Sequence, residues 1–174
     1  MKHSEPCYLN PDRDFLLRHI QFDKTMVRGD GVYLYDEQGN EYLDFLAQYG
    51  AVPFGHNPSE SWAAMAGGFG QPSMVQPFYT AAAKELAREL VSLEPEFNFS
   101  YAVFSNSGAE SVEAALKMAR AATGRQKIVS LHLGFHGKTS GALAVTGNPV
   151  YREPFLVSTA QSVKVAAEDF DELE

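Results

Sequence analysis

Residues 104–120 read Phe-Ser-Asn-Ser-Gly-Ala-Glu-Ser-Val-Glu-Ala-Ala-Leu-Lys-Met-Ala-Arg, and this segment carries most of the information about architecture. A β-like run over 101–105 leads into a turn of small residues, after which the pattern predicts a helix over 108–123. Ser107 and Glu110 have capping-box spacing, a pattern that in many helices only stabilises the helix and binds no ligand. Because the first amides of a helix lack acceptors and lie at its positive end, the turn suits a phosphate.

A second informative segment, Gly134-Phe135-His136-Gly137-Lys138-Thr139, follows a run over 127–133. This run is β-rich on both faces, which predicts a parallel strand buried on both sides. The alternation of these elements with a helix predicted over 80–93 indicates an α/β domain, whose ligands bind at the carboxyl ends of the strands. A phosphate cradle near an aromatic ring among glycines is typical of a site for a phosphorylated aromatic cofactor. The chain lacks a Gly-x-Gly-x-x-Gly or nucleotide-triphosphate loop, so a nucleotide-binding domain is a weaker third interpretation.

Composition narrows the class of protein. The 174 residues carry a net charge of −8 and no basic cluster, which argues against nucleic acid and anionic membrane surfaces as partners. Cys7 is the single cysteine, so multi-thiolate zinc sites are excluded. His132 and His136 are four residues apart, which on a helix would place them on one face, but they straddle Gly134 at a predicted strand end, which argues against a zinc site. The first ten residues lack the apolar block of a secretory signal, and we expect a cytoplasmic protein without a metal site.

The remaining local patterns predict two parts. We expect an N-terminal arm and hairpin-bearing segment over 1–58, and the first part of a larger domain over 59–174. Within them the sequence predicts a short helix in 15–20, a hairpin formed by 31–35 and 41–46, a short helix in 59–70 and another in 140–145.

Several ordered motifs resemble class III aminotransferases, which use pyridoxal 5′-phosphate (PLP). Residues 106–117 are similar to the phosphate-binding segment of that family, and 135–143 to its cofactor-stacking segment. The hairpin over 31–45 and the Gly55-His56-Asn57-Pro58 loop also match. Tyr8-Leu9-Asn10-Pro11 and Ser111-Val112-Glu113 look most like the putrescine, diamine and ornithine branch.

The resemblance implies a PLP-dependent transferase architecture of fold type I, with a truncated three-layer α/β/α large domain. It assigns Ser107, Gly108 and Ala109 to the phosphate, although many relatives have Thr in place of Ala109. It assigns Phe135 and His136 to the cofactor, with Phe135 stacking on its ring. The candidate substrate contacts are Tyr49, Tyr79 and Lys138, while Glu110 and Glu113 are assigned to helix capping and the surface.

The reaction implied is transfer of an amino group from a diamine or ω-amino acid to a 2-oxo acid such as 2-oxoglutarate, by a homodimer or with a completing chain. Family members are more than twice this length, and none of the seven lysines has the context of the family's Schiff-base lysine. We therefore assign no catalytic residue and expect the chain alone to be inactive. The alternative is a non-catalytic remnant of the fold that serves as a binding or assembly module.

Overall fold

A computed structural model describes residues 10–72, 75 and 78–168, which fall into two compact units divided between residues 74 and 75. Cys7, the Tyr8-Leu9 part of the diamine-branch resemblance and residues 169–174 lie outside the described residues. The domain boundary expected between residues 58 and 59 stays a prediction.

The first element in the described part of the first unit is helix α1 (Pro11–His19), which confirms the short helix expected there. The side chain of Asn10 accepts a hydrogen bond from the Arg13 amide at 3.0 Å, and proline occupies the first helical position. Both features satisfy or remove amides that have no acceptor inside the helix.

An antiparallel sheet of three strands follows: β1 (Met26–Asp30), β2 (Tyr33–Asp36) and β3 (Glu41–Leu43), in the order β1-β2-β3. The β2–β3 hairpin is confirmed, whereas β1 was not predicted. The hairpin turn is organised by the buried Asp36 carboxylate, which accepts from the Gln38 and Asn40 amides at 3.0 and 2.9 Å. The Asn40 side chain and the Tyr42 hydroxyl donate to the same carboxylate at 2.9 and 2.8 Å.

Two further helical segments complete the first unit. The single turn α2 (Ala47–Gly50) contains non-helical backbone, and α3 (Ser59–Gly67) confirms the helix expected in 59–70. Helix α3 ends where Gly67 and Gly68 follow one another, because glycine is a poor helix former.

The second unit is built mainly from α4 (Ala81–Ser92), α5 (Gly108–Thr123) and α6 (Ser140–Val145), all three predicted from the sequence. Thr80 caps α4 by accepting from the Ala83 amide at 3.1 Å. Gly124 ends α5 in the left-handed region with φ 68°, which glycine adopts without steric cost. Short 3₁₀ turns lie at Pro95–Phe97, Pro149–Tyr151 and Glu153–Phe155.

Strands β4 (Ile128–Leu131) and β5 (Ser162–Val165) pair in parallel, with Ile128 opposite Ser162. Two expectations need correction. Residues 101–105 form no strand, because their β-forming side chains find no ladder partner among the described residues. Strand β4 is not buried on both faces: Val129 and Leu131 are about half exposed.

The core of the second unit lies where α6 packs against α5 and both strands. Its buried apolar side chains are Leu116, Ala142, Leu143, Val145 and Val165. Helix α6 supplies three of them, so it anchors the loop that precedes it. Within the described residues no helix is both long and apolar enough to cross a membrane.

Candidate functional site

The N-terminus of α5 is capped from both directions. Ser107 Oγ accepts from the Glu110 amide at 3.2 Å, and the Glu110 carboxylate accepts from the Asn106 amide at 2.7 Å. The Ser107 bond is the one that the capping-box spacing predicts, whereas Glu110 bonds to the amide of Asn106 and not to that of the N-cap residue Ser107. The two bonds fix the backbone at the entrance to the helix, where the candidate phosphate-binding residues lie.

Two amides at this corner remain available. Within the described part of the chain, the Gly108 and Ala109 amides donate to no acceptor. A Cβ on Gly108 would meet no atom within 4 Å, so the space beside the corner is open. Free amides at the positive end of a 16-residue helix, next to open space, are the arrangement that binds a phosphate dianion.

The loop between β4 and α6 lies directly against this corner. Gly137 is buried and has φ +131°, and a Cβ on it would lie 2.7 Å from the Cβ of Ala109 and 3.1 Å from that of Ala142. Only a glycine allows this approach, because real Cβ atoms do not come so close. The structure therefore brings together the two segments that the sequence assigned to one cofactor.

Phe135 is not a core aromatic. The residue is 57% exposed, and its ring makes an edge contact with the Tyr151 ring at 5.7 Å between centroids and 78° between planes. The side chain is thus held by one neighbour and open over much of its surface. Such an aromatic can stack against a planar ligand at little cost in lost packing.

His136 is fastened through its backbone. Its amide donates to the Oγ1 of the fully buried Thr146 at 3.1 Å, and Thr146 Oγ1 donates to the Ala142 carbonyl at 3.0 Å. The Nε2 atom of His136 is buried and has no partner among the described residues. A buried polar atom without a partner is uncommon and marks a position where a ligand or water is expected.

The three candidate substrate residues are more dispersed. Lys138 is exposed and lines a cavity of about 220 Å³ together with Tyr151 and Phe155. Tyr79 is 81% exposed just before α4, where the Lys84 ammonium lies 5.4 Å from its ring centroid. Tyr49 belongs to the first unit and is 89% exposed. Their substrate roles stay predictions.

Tyr49 stands on an unusual turn. Ala47, Gln48 and Tyr49 have successive φ values of 44°, 50° and 58°, a left-handed conformation that side chains other than glycine rarely adopt. The Asp44 carboxylate accepts from the Leu46 and Ala47 amides, both at 2.9 Å, and contacts His56 Nε2 at 2.8 Å. These hydrogen bonds lower the pKa of Asp44, and the bond from the Ala47 amide has the largest effect. The same bonds hold the strained turn in place.

Glu113 has a role that differs from the expected surface position. Its Oε1 accepts from the amides of Gly141 and Ala142 at 2.7 and 3.2 Å, so it bonds to the first turn of α6. Its pKa is lowered chiefly by a hydrogen bond from the Thr139 side chain. Sequence reasoning missed this contact because the partners are 28 and 29 residues apart.

The free amides at the N-terminus of α5 and the glycine-bounded aromatic loop thus lie side by side. Residues 18–174 match the family Aminotransferase class-III, and the chain belongs to this family.

Curated relatives include two archaeal proteins. A putative [LysW]-aminoadipate semialdehyde/glutamate semialdehyde transaminase of Pyrococcus horikoshii is 38% identical over 130 residues, which is 75% of this chain and 35% of that protein. The acetylornithine aminotransferase of Archaeoglobus fulgidus is 38% identical over 150 residues, covering 85% of this chain and 39% of the relative. The chain thus spans a little over a third of the length of these relatives.

The fold is shared with solved transaminases. An amine transaminase from an uncultivated Pseudomonas species, solved with PLP bound, superimposes with a TM-score of 0.76 at 28% identity. The match covers 95% of this chain and 38% of that one. This likeness confirms the expected fold type I architecture.

Proposed function

We propose that Ser107, Gly108, Ala109, Phe135 and His136 form the PLP-binding site of a class III aminotransferase. We call this set of residues the cradle. The observation that carries the proposal is the contact of Gly137 with Ala109, which joins the open amides of the α5 N-terminus to the Phe135 loop. The residues present fit the cofactor: they offer donors for its phosphate and an accessible ring for its heterocycle. When bound, PLP would supply an electron sink for the amine substrate.

Each residue of the cradle has a separate task. The amides of Gly108 and Ala109, with the Ser107 cap, would hold the phosphate. Phe135 would stack on the cofactor ring, and the buried Nε2 atom of His136 would offer the cofactor a polar contact. The hydroxyl that many relatives carry at position 109 is absent here, so the phosphate would depend on backbone donors there.

The amino donor we propose is a diamine or an ω-amino acid, and the acceptor a 2-oxo acid such as 2-oxoglutarate. Support comes from the sequence resemblance and from relatives named as acetylornithine aminotransferase and amine transaminase. Tyr49, Tyr79 and Lys138 would contact the substrate, with the Lys138 ammonium meeting its carboxylate. The donor is tested by offering putrescine, ornithine and ω-amino acids with 2-oxoglutarate to this chain assembled with a lysine-bearing completing chain and loaded with PLP, and by measuring glutamate. An assembly that makes glutamate from another amino donor and from none of these would refute the assignment.

The cradle itself is tested by PLP titration of the chain, followed through visible absorbance. Gly108→Asp should abolish binding, because a carboxylate would repel the phosphate while still suiting the first turn of the helix. Gly108→Ala is the matched control and should bind PLP, since the space there is open. Equal affinity of the aspartate variant and the wild type would contradict the cradle.

We further propose that this chain binds PLP without forming a covalent bond to it. None of its seven lysines has the sequence context of the family's Schiff-base lysine. Borohydride reduction followed by mass spectrometry tests this. Reversible, unreduced binding is expected. A specific PLP adduct trapped on one of these lysines would overturn the assignment.

We also propose a homodimer, or a complex with a completing chain, that acts in the cytoplasm. The many exposed large apolar side chains, among them Tyr101, Leu133 and Leu156, support association. The single cysteine fits a reducing compartment. Light scattering coupled to size exclusion tests the assembly: a monomer of the isolated chain at micromolar concentration would contradict the homodimer, and a monomer in the presence of the completing chain would contradict the complex.

A further inference from the structure

Helix α6 is not capped by its own N-cap residue. Thr139 occupies that position, yet its side chain makes no capping bond to the helix. Threonine at an N-cap ordinarily accepts from the amides one turn ahead. Here the Glu113 carboxylate accepts from the amides of Gly141 and Ala142 instead.

Glu113 is four residues after Ala109, so both side chains lie on the same face of α5. Ala109 contacts the buried Gly137 at one end of the loop, and Glu113 bonds to Gly141 and Ala142 at the other. The segment between these contacts is therefore fixed to α5 twice. Phe135 and His136 lie immediately before it, and Lys138 lies within it.

The fit at Glu113 is close on all sides. A Cβ on Gly141 would fall inside the Glu113 carboxylate, at 2.2 Å from Oε2. The carboxylate is partly buried, and hydrogen bonds to its charged form keep it ionised. A glutamate that only decorated the helix surface would have neither the glycine opposite it nor two backbone donors.

We propose that Glu113 is a positioning residue for the cofactor ring. Its carboxylate, which belongs to α5, caps α6 and so holds the loop over 134–139 at a fixed place relative to the Gly108 and Ala109 amides. The proposal rests on the proposed function of the cradle. Glu113 does not touch the phosphate-binding amides. Its loss should therefore affect binding of the ring and spare binding of the phosphate.

The test compares Glu113→Ala, Glu113→Gln and the wild-type chain, with Glu89→Ala on the exposed face of α4 as control. Affinities are measured for pyridoxamine 5′-phosphate, which has no aldehyde to react, and for inorganic phosphate. In Glu113→Ala we expect the first affinity to fall about tenfold, the scale of a lost bond to a charged group, and the second to stay within about twofold. Glu113→Gln keeps an acceptor oxygen and should recover part of the loss.

Amide hydrogen exchange gives an independent readout without any ligand. The Gly141 and Ala142 amides should exchange faster in Glu113→Gln and, if it folds, in Glu113→Ala, while the amides of α4 are unchanged.

Parallel loss of both affinities would overturn the proposal in favour of a general structural role. Unchanged affinity and exchange in both variants would overturn it as well. A wild-type chain that binds neither ligand would refute the cradle and this role together, whereas a wild type that binds both while the variants match it refutes this role alone.

Discussion

Gly137 lies against Ala109 so closely that a Cβ on the glycine would come within 2.7 Å of the alanine Cβ. This relationship joins residues 28 positions apart and makes one surface of a helix N-terminus and an aromatic loop.

Gly137→Ala should damage the cradle through backbone and side chain together. Its φ of +131° is strained for any residue with a Cβ, and the added methyl meets Ala109 and Ala142. We expect a loss of about 1–3 kcal/mol in the free energy of unfolding and weaker PLP binding, measured by urea denaturation and titration. Gly124→Ala, at φ +68° in open space, should reduce stability without changing PLP affinity. Equal effects of the two variants on PLP affinity would contradict this.

Ser107→Ala and Thr80→Ala remove equivalent caps from α5 and α4, where the hydroxyl oxygens accept at 3.2 and 3.1 Å. Each should lower stability by about 1 kcal/mol. Only Ser107→Ala should weaken binding of inorganic phosphate, because only α5 is assigned a ligand. Phosphate titrations of the two variants check this, and a similar loss in Thr80→Ala would argue against a specific corner.

Phe135→Ala and Phe99→Ala form a matched pair, because both phenylalanines are 57% exposed. Phe135→Ala should weaken pyridoxamine 5′-phosphate binding by about tenfold, the scale of one lost aromatic stacking contact. Inorganic phosphate affinity should not change. Phe99→Ala should alter neither affinity, and fluorescence titration of both ligands provides the measurement. Retention of full ring affinity in Phe135→Ala would refute the stacking role.

Asp36 makes the stability of the hairpin depend on pH. Hydrogen bonds lower the pKa of Asp36 from 3.8 to about 2, and the bond from the Asn40 side chain has the largest effect. The folded-state pKa lies below the unfolded value, so the stabilisation is complete above pH 3.8 and is lost as the pH falls towards 2. Asp36→Asn should remove this contribution. Urea midpoints of both proteins at several pH values between 2 and 5 measure it, and an identical pH dependence in the variant would contradict the assignment.

Local chemistry made much of this fold predictable from the sequence. The Thr80 cap, the Ser107 cap and the terminating Gly124 act within a few residues, and the structure confirms each. The same holds for the β2–β3 hairpin, whose turn lies between its strands.

What was missed depends on partners distant in sequence. Residues 101–105 have strand-forming side chains but no ladder partner in the described part of the chain, so propensity alone misled. Strand β1 contains Arg28, Gly29 and Asp30, which are weak strand formers, and it forms because β2 pairs with it. For Glu113, nothing in the local pattern indicates acceptance from amides of another helix.

The capping of α6 by a residue of α5 has a consequence for the order of folding. A six-residue helix is far too short to persist in isolation, since nucleation costs more than so few backbone bonds return. Its first amides are satisfied only once the carboxylate from α5 is in place. We therefore expect α5 to form before α6 during folding, and the loop over 134–139 to become ordered after both.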